Sequence, residues 1–372
     1  MKNDKFYIPI SKPSLIGKEK DYVLDCLDST WISSNGRYIG LFEIFFSEYI
    51  GVRHAISCSN GTVALHLALL ALGIGPGDEV IVPTLTFVAT ANAVRYTGAI
   101  PVFIGSESDT WNLRPDMIES LITSRTKAII PVPLYGHPCD MDPIIDIARK
   151  NNLFVIEDAA QALGSEYKNK KCGGIADIST FSFYGNKIIT TGEGGMVVTD
   201  NDEWAEKVRR LKGQGMNPLK RYWFDIMGYN YRMTNIQAAI GLAQMENIDE
   251  LISKRRQIAQ WYTNLLKNIC GITFPVEKEY AMHSYWLYSI LIENNFGKSR
   301  DELATFLAEN NIETRPFFYP MHILPEYENR SLKHLKNTEI IARKGINLPT
   351  YYDLRFDDVK TISKFIRTQS CS

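Results

Sequence analysis

Asp177-Ile-Ser-Thr-Phe-Ser-Phe-Tyr-Gly-Asn-Lys187, continued by Ile-Ile-Thr-Thr-Gly-Glu-Gly-Gly195, is the most informative stretch of the chain. Ile178 to Phe183 is a short apolar and aromatic run of the length and composition of a buried strand. Gly185-Asn186 is a turn signal that stops it, and Lys187 follows immediately before a glycine-rich segment. An amine becomes a nucleophile only when it is partly desolvated or lies near another positive charge. A lysine on a turn between a buried strand and a flexible loop therefore suits Schiff-base chemistry. Taken alone, the stretch fits a surface lysine at a strand end equally well. Asp158 shifts that balance, because it ends an earlier apolar run, Leu153-Phe-Val-Ile-Glu-Asp158. An amine and a carboxylate then each stand at the end of a candidate parallel strand. Pyridoxal phosphate needs such a pair, a lysine for its aldehyde carbon and a carboxylate facing its ring nitrogen.

Working outward, strand and helix patterns alternate. Ala55 to Cys58 reads as a strand and Gly61 to Leu72 as a helix ended by Gly73. Strands at Val80–Val82, Val102–Ile104, Ala128–Val132, Phe154–Glu157 and Met196–Thr199 are interleaved with helices at Thr86–Tyr96 and Asp140–Lys150. This alternation predicts an α/β fold with a largely parallel sheet covered on both faces. Before it, residues 1–50 form an N-terminal arm with helical patterns at Gly17–Leu27 and Leu41–Tyr49. The second of these places Phe42, Phe45 and Phe46 on its buried side. After it, Thr234 caps a helical stretch to about Asn268 with a break near Asn247. A strand at Tyr285–Ile292 and a helix at Arg300–Asn310 follow. The expected organisation is the arm at 1–50, a large α/β domain at 51–245, and a connecting helix with a small α+β domain at 246–372.

Composition narrows the function. A chain of 372 residues with 45% hydrophobic content can bury a large core. The formal net charge of −1 argues against a nucleic-acid binder, whose footprint is a basic patch. No apolar run approaches the ~20 residues of a membrane-spanning helix, and Met1 to Tyr7 lacks the apolar core of a signal peptide. The six cysteines are scattered without a Cys-x-x-Cys pair, which fits free thiols in a reducing cytoplasm. No His/Asp/Glu spacing matches a metal site.

Several further motifs fall in order along the chain: Ser59-Asn-Gly-Thr-Val-Ala-Leu-His66, Asp78-Glu-Val-Ile-Val-Pro83, Glu157-Asp-Ala-Ala-Gln161, Phe181-Ser-Phe-Tyr-Gly-Asn-Lys187 and Tyr229-Asn-Tyr-Arg-Met-Thr-Asn235. With these motifs the chain resembles the pyridoxal-phosphate-dependent nucleotide-sugar aminotransferases of the DegT–StrS group over nearly its whole length. Thr30-Trp-Ile-Ser-Ser34, Leu134-Tyr-Gly-His-Pro-Cys-Asp-Met141 and Glu313-Thr-Arg-Pro-Phe-Phe-Tyr-Pro320 draw the resemblance closest to the branch that makes GDP-perosamine. The resemblance implies an aspartate-aminotransferase-like (fold type I) large domain with a mostly parallel seven-stranded sheet. It also implies pyridoxal 5'-phosphate as cofactor.

Site residues follow on two footings. From the residues themselves, Lys187 is the cofactor lysine and proton carrier, and Asp158 is the anion beside the ring nitrogen. Asn60-Gly61-Thr62 at a helix start offers backbone N–H groups to a phosphate, although ordinary capping accounts for most such sequences. From the resemblance, Ser182 places its hydroxyl on the same phosphate, Phe87 stacks on the cofactor, and Gln161 contacts it. Asn230 reaches the phosphate of the neighbouring subunit, which makes the enzyme a homodimer with shared sites, or a higher oligomer. The path from Lys187 to Asn230 gives no short route for that turn to reach the phosphate site of its own chain. On the substrate side the candidates are Trp31, His137, Arg315 and His322, with His283 a further histidine. Arg315 suits a pyrophosphate or a carboxylate; the aromatic rings beside it fit sugar stacking or the core of the small domain equally.

The implied reaction is amino transfer from L-glutamate, returning 2-oxoglutarate, to a nucleotide-linked 4-keto-6-deoxy sugar. By closest resemblance, the conversion is GDP-4-keto-6-deoxymannose to GDP-perosamine for O-antigen or other surface polysaccharide. The same chemistry on a UDP- or TDP-linked sugar, or at a 3-keto position, remains open, as does a non-catalytic cofactor-binding regulator. A 3-dehydratase is disfavoured, because those relatives carry histidine where this chain has Lys187.

Overall fold

A computed structural model describes residues 7–327 and 335–371. The first six residues of the expected arm lie outside the described residues. The strands are β1 (His54–Cys58), β2 (Glu79–Pro83), β3 (Ile100–Ile104), β4 (Thr126–Ile129), β5 (Phe154–Asp158), β6 (Glu166–Tyr167), β7 (Lys170–Lys171), β8 (Ile178–Ser182), β9 (Gly195–Thr199), β10 (Ile272–Thr273), β11 (Ala281–Met282), β12 (Tyr288–Ile292), β13 (Arg315–Pro316) and β14 (Gly345–Leu348). The helices are α1 (Glu19–Asp28), α2 (Arg37–Ile50), α3 (Gly61–Ala71), α4 (Ala89–Tyr96), α5 (Ile118–Leu121), α6 (Met141–Lys150), α7 (Asp202–Lys212), α8 (Asn235–Met245), α9 (Ile248–Leu266), α10 (Arg300–Glu309), α11 (Lys336–Lys344) and α12 (Phe356–Gln369). None of them is long and apolar enough to cross a membrane.

The main sheet has seven strands in the order β1-β9-β8-β5-β4-β2-β3. Neighbours from β8 to β3 run parallel, whereas β9 is antiparallel to both β8 and β1. The largely parallel sheet expected from the strand–helix alternation is present, with β9 as its one reversed strand. Two reversals leave β1 pointing the same way as β8. The carboxyl ends of β1, β2, β5 and β8 therefore lie along one edge, where ligands bind in open α/β sheets. That edge carries Ser59 to Thr62, Thr84 to Phe87, Asp158 and Ser182. The C-terminal part adds a four-stranded antiparallel sheet, β10-β12-β14-β13, and β11-β6-β7 forms a third, small sheet.

Local rules account for most element ends. Asn60 caps α3 by accepting from Val63 N at 3.0 Å. Thr234 and Gln237 form a capping box on α8, and Ser299 and Glu302 form one on α10. The expected break falls at Asn247, between α8 and α9, where the Asn247 amide turns back to Ala243 O at 3.0 Å. On α2, Phe42 and Phe46 are fully buried against Phe183 and Phe181 at ring distances of 5.2 and 4.9 Å. Phe45, expected beside them, sits one step round the helix and is only half-buried.

Two elements begin three residues later than their patterns predict. α4 starts at Ala89 rather than Thr86. Thr84 N is drawn to Ile104 O at 3.0 Å, which keeps the chain extended past β2 and leaves 84–88 as a loop. β12 starts at Tyr288 rather than Tyr285. Tyr285 has φ +49°, outside the strand region, and its N–H donates to its neighbour His283 Nδ1 at 3.0 Å instead of to a strand.

Candidate active site

Lys187 sits on a turn closed by its own N–H to Tyr184 O at 2.9 Å. The residue as a whole is half-buried, and it lines a small cavity with Ser14, Gln244 and Arg255. Burial drives the amine down from its ordinary value to about 7, and the Asp158 carboxylate opposes that fall. Nζ lies 3.7 Å above the centre of the Trp286 ring. The Trp286 indole N–H donates to Asn186 O at 2.8 Å, fixing the residue just before the lysine.

Asp158 is buried at the end of β5, with its Oδ2 accepting from Thr90 Oγ1 at 2.8 Å and its Oδ1 from Ala160 N at 3.3 Å. Burial raises its pKa, while the Thr90 hydrogen bond and the nearby Lys187 pull it back. A carboxyl group with a raised pKa and an amine with a lowered one are thus coupled in a poorly hydrated space. Thr90 carried no readable signal, because only the packing of α4 across the sheet edge brings it to β5.

The start of α3 presses against the end of β8. A Cβ placed on Gly61 would lie 2.7 Å from Ser182 Cβ and 3.1 Å from Ser182 Oγ. The Asn60 side chain takes up the Val63 N–H, and the N–H groups of Gly61 and Thr62 before it stand at the helix start beside Ser182. With the helix dipole behind them, they form a cradle for an anion. Gly61→Ala pushes the helix start off Ser182, and it is expected to weaken binding of a phosphorylated ligand by about tenfold or more. Titration of pyridoxal phosphate against protein fluorescence reads this; unchanged affinity would move the anion site elsewhere.

The remaining predicted residues divide. Gln161 is buried, its Oε1 accepting from Tyr135 N at 2.9 Å and its amide 3.5 Å from Thr86 Oγ1. Phe87 is 55% exposed at the same edge, and its ring centre lies 5.8 Å from that of Phe318. One face is thus free to stack. Tyr135 joins this wall, stacked on Phe318 at 5.5 Å and on Trp286 at 6.2 Å. Its φ of +54° is costly for a bulky residue and is held by the bond to Gln161.

The substrate-side candidates differ in burial and in partners. His322 is buried with Nδ1 bonded to Thr84 Oγ1 at 2.8 Å and Nε2 facing Glu339 at 3.2 Å. His137 is also buried, its ring nitrogens bonded to Pro138 O at 2.8 Å and Lys278 N at 3.3 Å. Both imidazoles are committed to the fold and present no free nitrogen to a substrate. His283, buried against His137 and Tyr285, is held neutral by burial. Arg315 is exposed and pairs with Glu313 at 3.6 Å, whereas Trp31 is exposed beside the start of α8. Asn230 is exposed and accepts from Arg232 at 2.9 Å. The expectation that its turn lies far from its own phosphate cradle does not hold, since Ser59 N donates to Tyr231 O at 2.9 Å. A long-range backbone contact of this kind leaves no trace in sequence.

Comparison with known proteins follows the same lines. The model of the DegT/DnrJ/EryC1/StrS aminotransferase family matches residues 13–367. GDP-perosamine synthase of Caulobacter vibrioides is 52% identical over 356 residues, covering 95% of this chain and 96% of that one. GDP-perosamine synthase of Escherichia coli O157:H7 is 52% identical over 360 residues, covering 97% and 98%. Among solved structures, DesV of S. venezuelae superposes with a TM-score of 0.91 at 33% identity, covering 98% of each chain. A sheet-edge lysine and carboxylate, an anion cradle and a match along nearly the whole length agree: the chain belongs to the DegT/DnrJ/EryC1/StrS aminotransferase family.

Proposed function

We propose that the chain is a pyridoxal-phosphate-dependent aminotransferase converting GDP-4-keto-6-deoxymannose to GDP-perosamine with L-glutamate as donor, for surface polysaccharide. The observation that carries the amino-transfer chemistry is the desolvated Lys187 amine, held near neutrality beside buried Asp158. The substrate assignment is supported by two relatives named GDP-perosamine synthase, each 52% identical across nearly the full length of both chains.

The residues fit the cofactor. Gly61, Thr62 and Ser182 would take its phosphate, Phe87 would stack on its ring, Gln161 would lie beside it, and Asp158 would face its ring nitrogen. When bound, pyridoxal phosphate supplies an electron sink that allows an amino group to move between an amino acid and a keto sugar. Lys187, with a pKa of about 7, holds or releases a proton at neutral pH and moves it at the reacting carbon. Thr90 donates to Asp158 and favours its anionic form against the pull of burial.

An amino-donor assay against GDP-, UDP- and TDP-linked 4-keto sugars tests the substrate. Fastest turnover of the GDP sugar is expected. Preference for a UDP or TDP sugar would replace the assignment while leaving the chemistry in place.

A homodimer with shared sites belongs to the same proposal, as does a cytoplasmic location. Leu219 is 96% exposed, Met227 86% and Tyr222 72%, a loop of apolar surface that a lone chain leaves open to water. It leads directly into Asn230. Because Tyr231 also touches Ser59 of its own chain, mixing two inactive variants, Lys187→Ala and Asn230→Asp, decides between arrangements. With shared sites, co-refolded variants should regain up to roughly a quarter of wild-type activity, one intact site in each mixed dimer. No recovery, despite demonstrated subunit exchange and each variant being inactive alone, would place Asn230 in its own subunit's site or outside the site altogether.

A further inference from the structure

We infer that Trp286 is the platform on which Lys187 rests whenever its amine is free, a positioning residue for the proton-carrying step. The inference takes the role of Lys187 from the proposed function, but the placement of Trp286 is independent of it.

Trp286 is only 4% exposed and is anchored at several points. Its ring lies under Lys187 Nζ at 3.7 Å, and its indole N–H holds Asn186 O at 2.8 Å. Its carbonyl accepts from Arg255 Nη1 at 2.7 Å, and the same nitrogen reaches Thr350 O at 2.9 Å. The indole is therefore fixed relative to the lysine turn on one side and to α9 on the other.

The chemistry needs such a support. The charged groups around the amine are mixed. Asp158 attracts the ammonium from β5. Lys12 and Arg255, the other cations nearby, line with Lys187, Ser14, Gln244 and Tyr352 a cavity with room for about one water. Arg255 is buried and donates to the carbonyls of Trp286 and Thr350. A second carboxylate at Nζ would lock the amine as an ammonium. An aromatic face attracts the cation but offers no strong acceptor, so it offsets part of the desolvation and still lets the proton go. Burial of a cation and a ring face beneath it act in opposite directions, which keeps the group near the pH at which it must both take and give a proton.

The test reads the lysine itself. The full chain, before and after loading with pyridoxal phosphate, is treated with trace acetic anhydride across pH, and Lys187 acetylation is followed by mass spectrometry. Trp286→Leu should lower the pH midpoint of Lys187 acetylation in the cofactor-free chain by about one unit, and Trp286→Phe by less. Replacing tryptophan by fluorinated analogues keeps the ring's shape while weakening its negative face, and the midpoint should fall stepwise with fluorine number. An unchanged midpoint in the fluorinated series would overturn the inference, and that series still answers if Trp286→Leu fails to fold. Failure of the cofactor to protect Lys187 from acetylation would instead count against the proposed function, so the two ideas fail separately.

Discussion

Lys187→Ala should reduce turnover by about 10⁴-fold or more, the upper range for a positioned proton carrier. Alanine leaves neither an amine to bond the cofactor nor a group to shuttle the proton. The surroundings offer no substitute. Lys12 and Arg255 line the cavity beside Nζ, but Lys12 pairs with Asp353 at 3.2 Å, and a guanidinium does not release its proton. Lys187→Arg should be equally inactive, although it keeps the charge over Trp286, because it cannot form the covalent link. Steady-state turnover with glutamate and the keto sugar, together with the visible absorbance of bound cofactor, provides the measurement. Activity within about tenfold of wild type, roughly 1.4 kcal/mol of barrier, would remove Lys187 from the centre of the mechanism.

Asp158→Asn should retain part of the cofactor while losing about 10²- to 10³-fold in kcat, the usual scale for removing one preorganised electrostatic group. The amide oxygen can still accept from Thr90, so the local fold should survive. What disappears is the negative charge that holds the ring nitrogen protonated. The loss should therefore appear in kcat more than in thermal stability. Burial raises the Asp158 pKa, so the wild-type rate should fall as pH drops and the carboxylate is neutralised. An asparagine variant cannot show that limb of the profile. An unchanged rate across pH would place the partner of the ring nitrogen elsewhere.

These two residues were legible because each ends an apolar run before a turn, a pattern that survives in one dimension. The same holds for the elements around them. The cap at Thr234, the break at Asn247 and the alternation of strand and helix all depend on groups within a few residues of one another. A parallel sheet with its chemistry at the strand ends follows from that alternation without any knowledge of contacts.

Tertiary structure decided the rest, since the deciding partners are far apart in the chain. Thr90 meets Asp158 across 68 residues, and Trp286 meets Asn186 across 100. His322 reads as a free histidine in an aromatic loop, yet a hydrogen bond to Thr84, 238 residues away, makes it part of the fold. The reversed strand β9 was likewise invisible, because an apolar run specifies burial on a sheet but not the direction of the neighbour that receives it. Sequence determined which groups stand at the ends of strands, through local periodicity and turn chemistry. Packing decided which of them face an open site and which satisfy one another, because a buried polar group must find its partner wherever the fold brings one within reach.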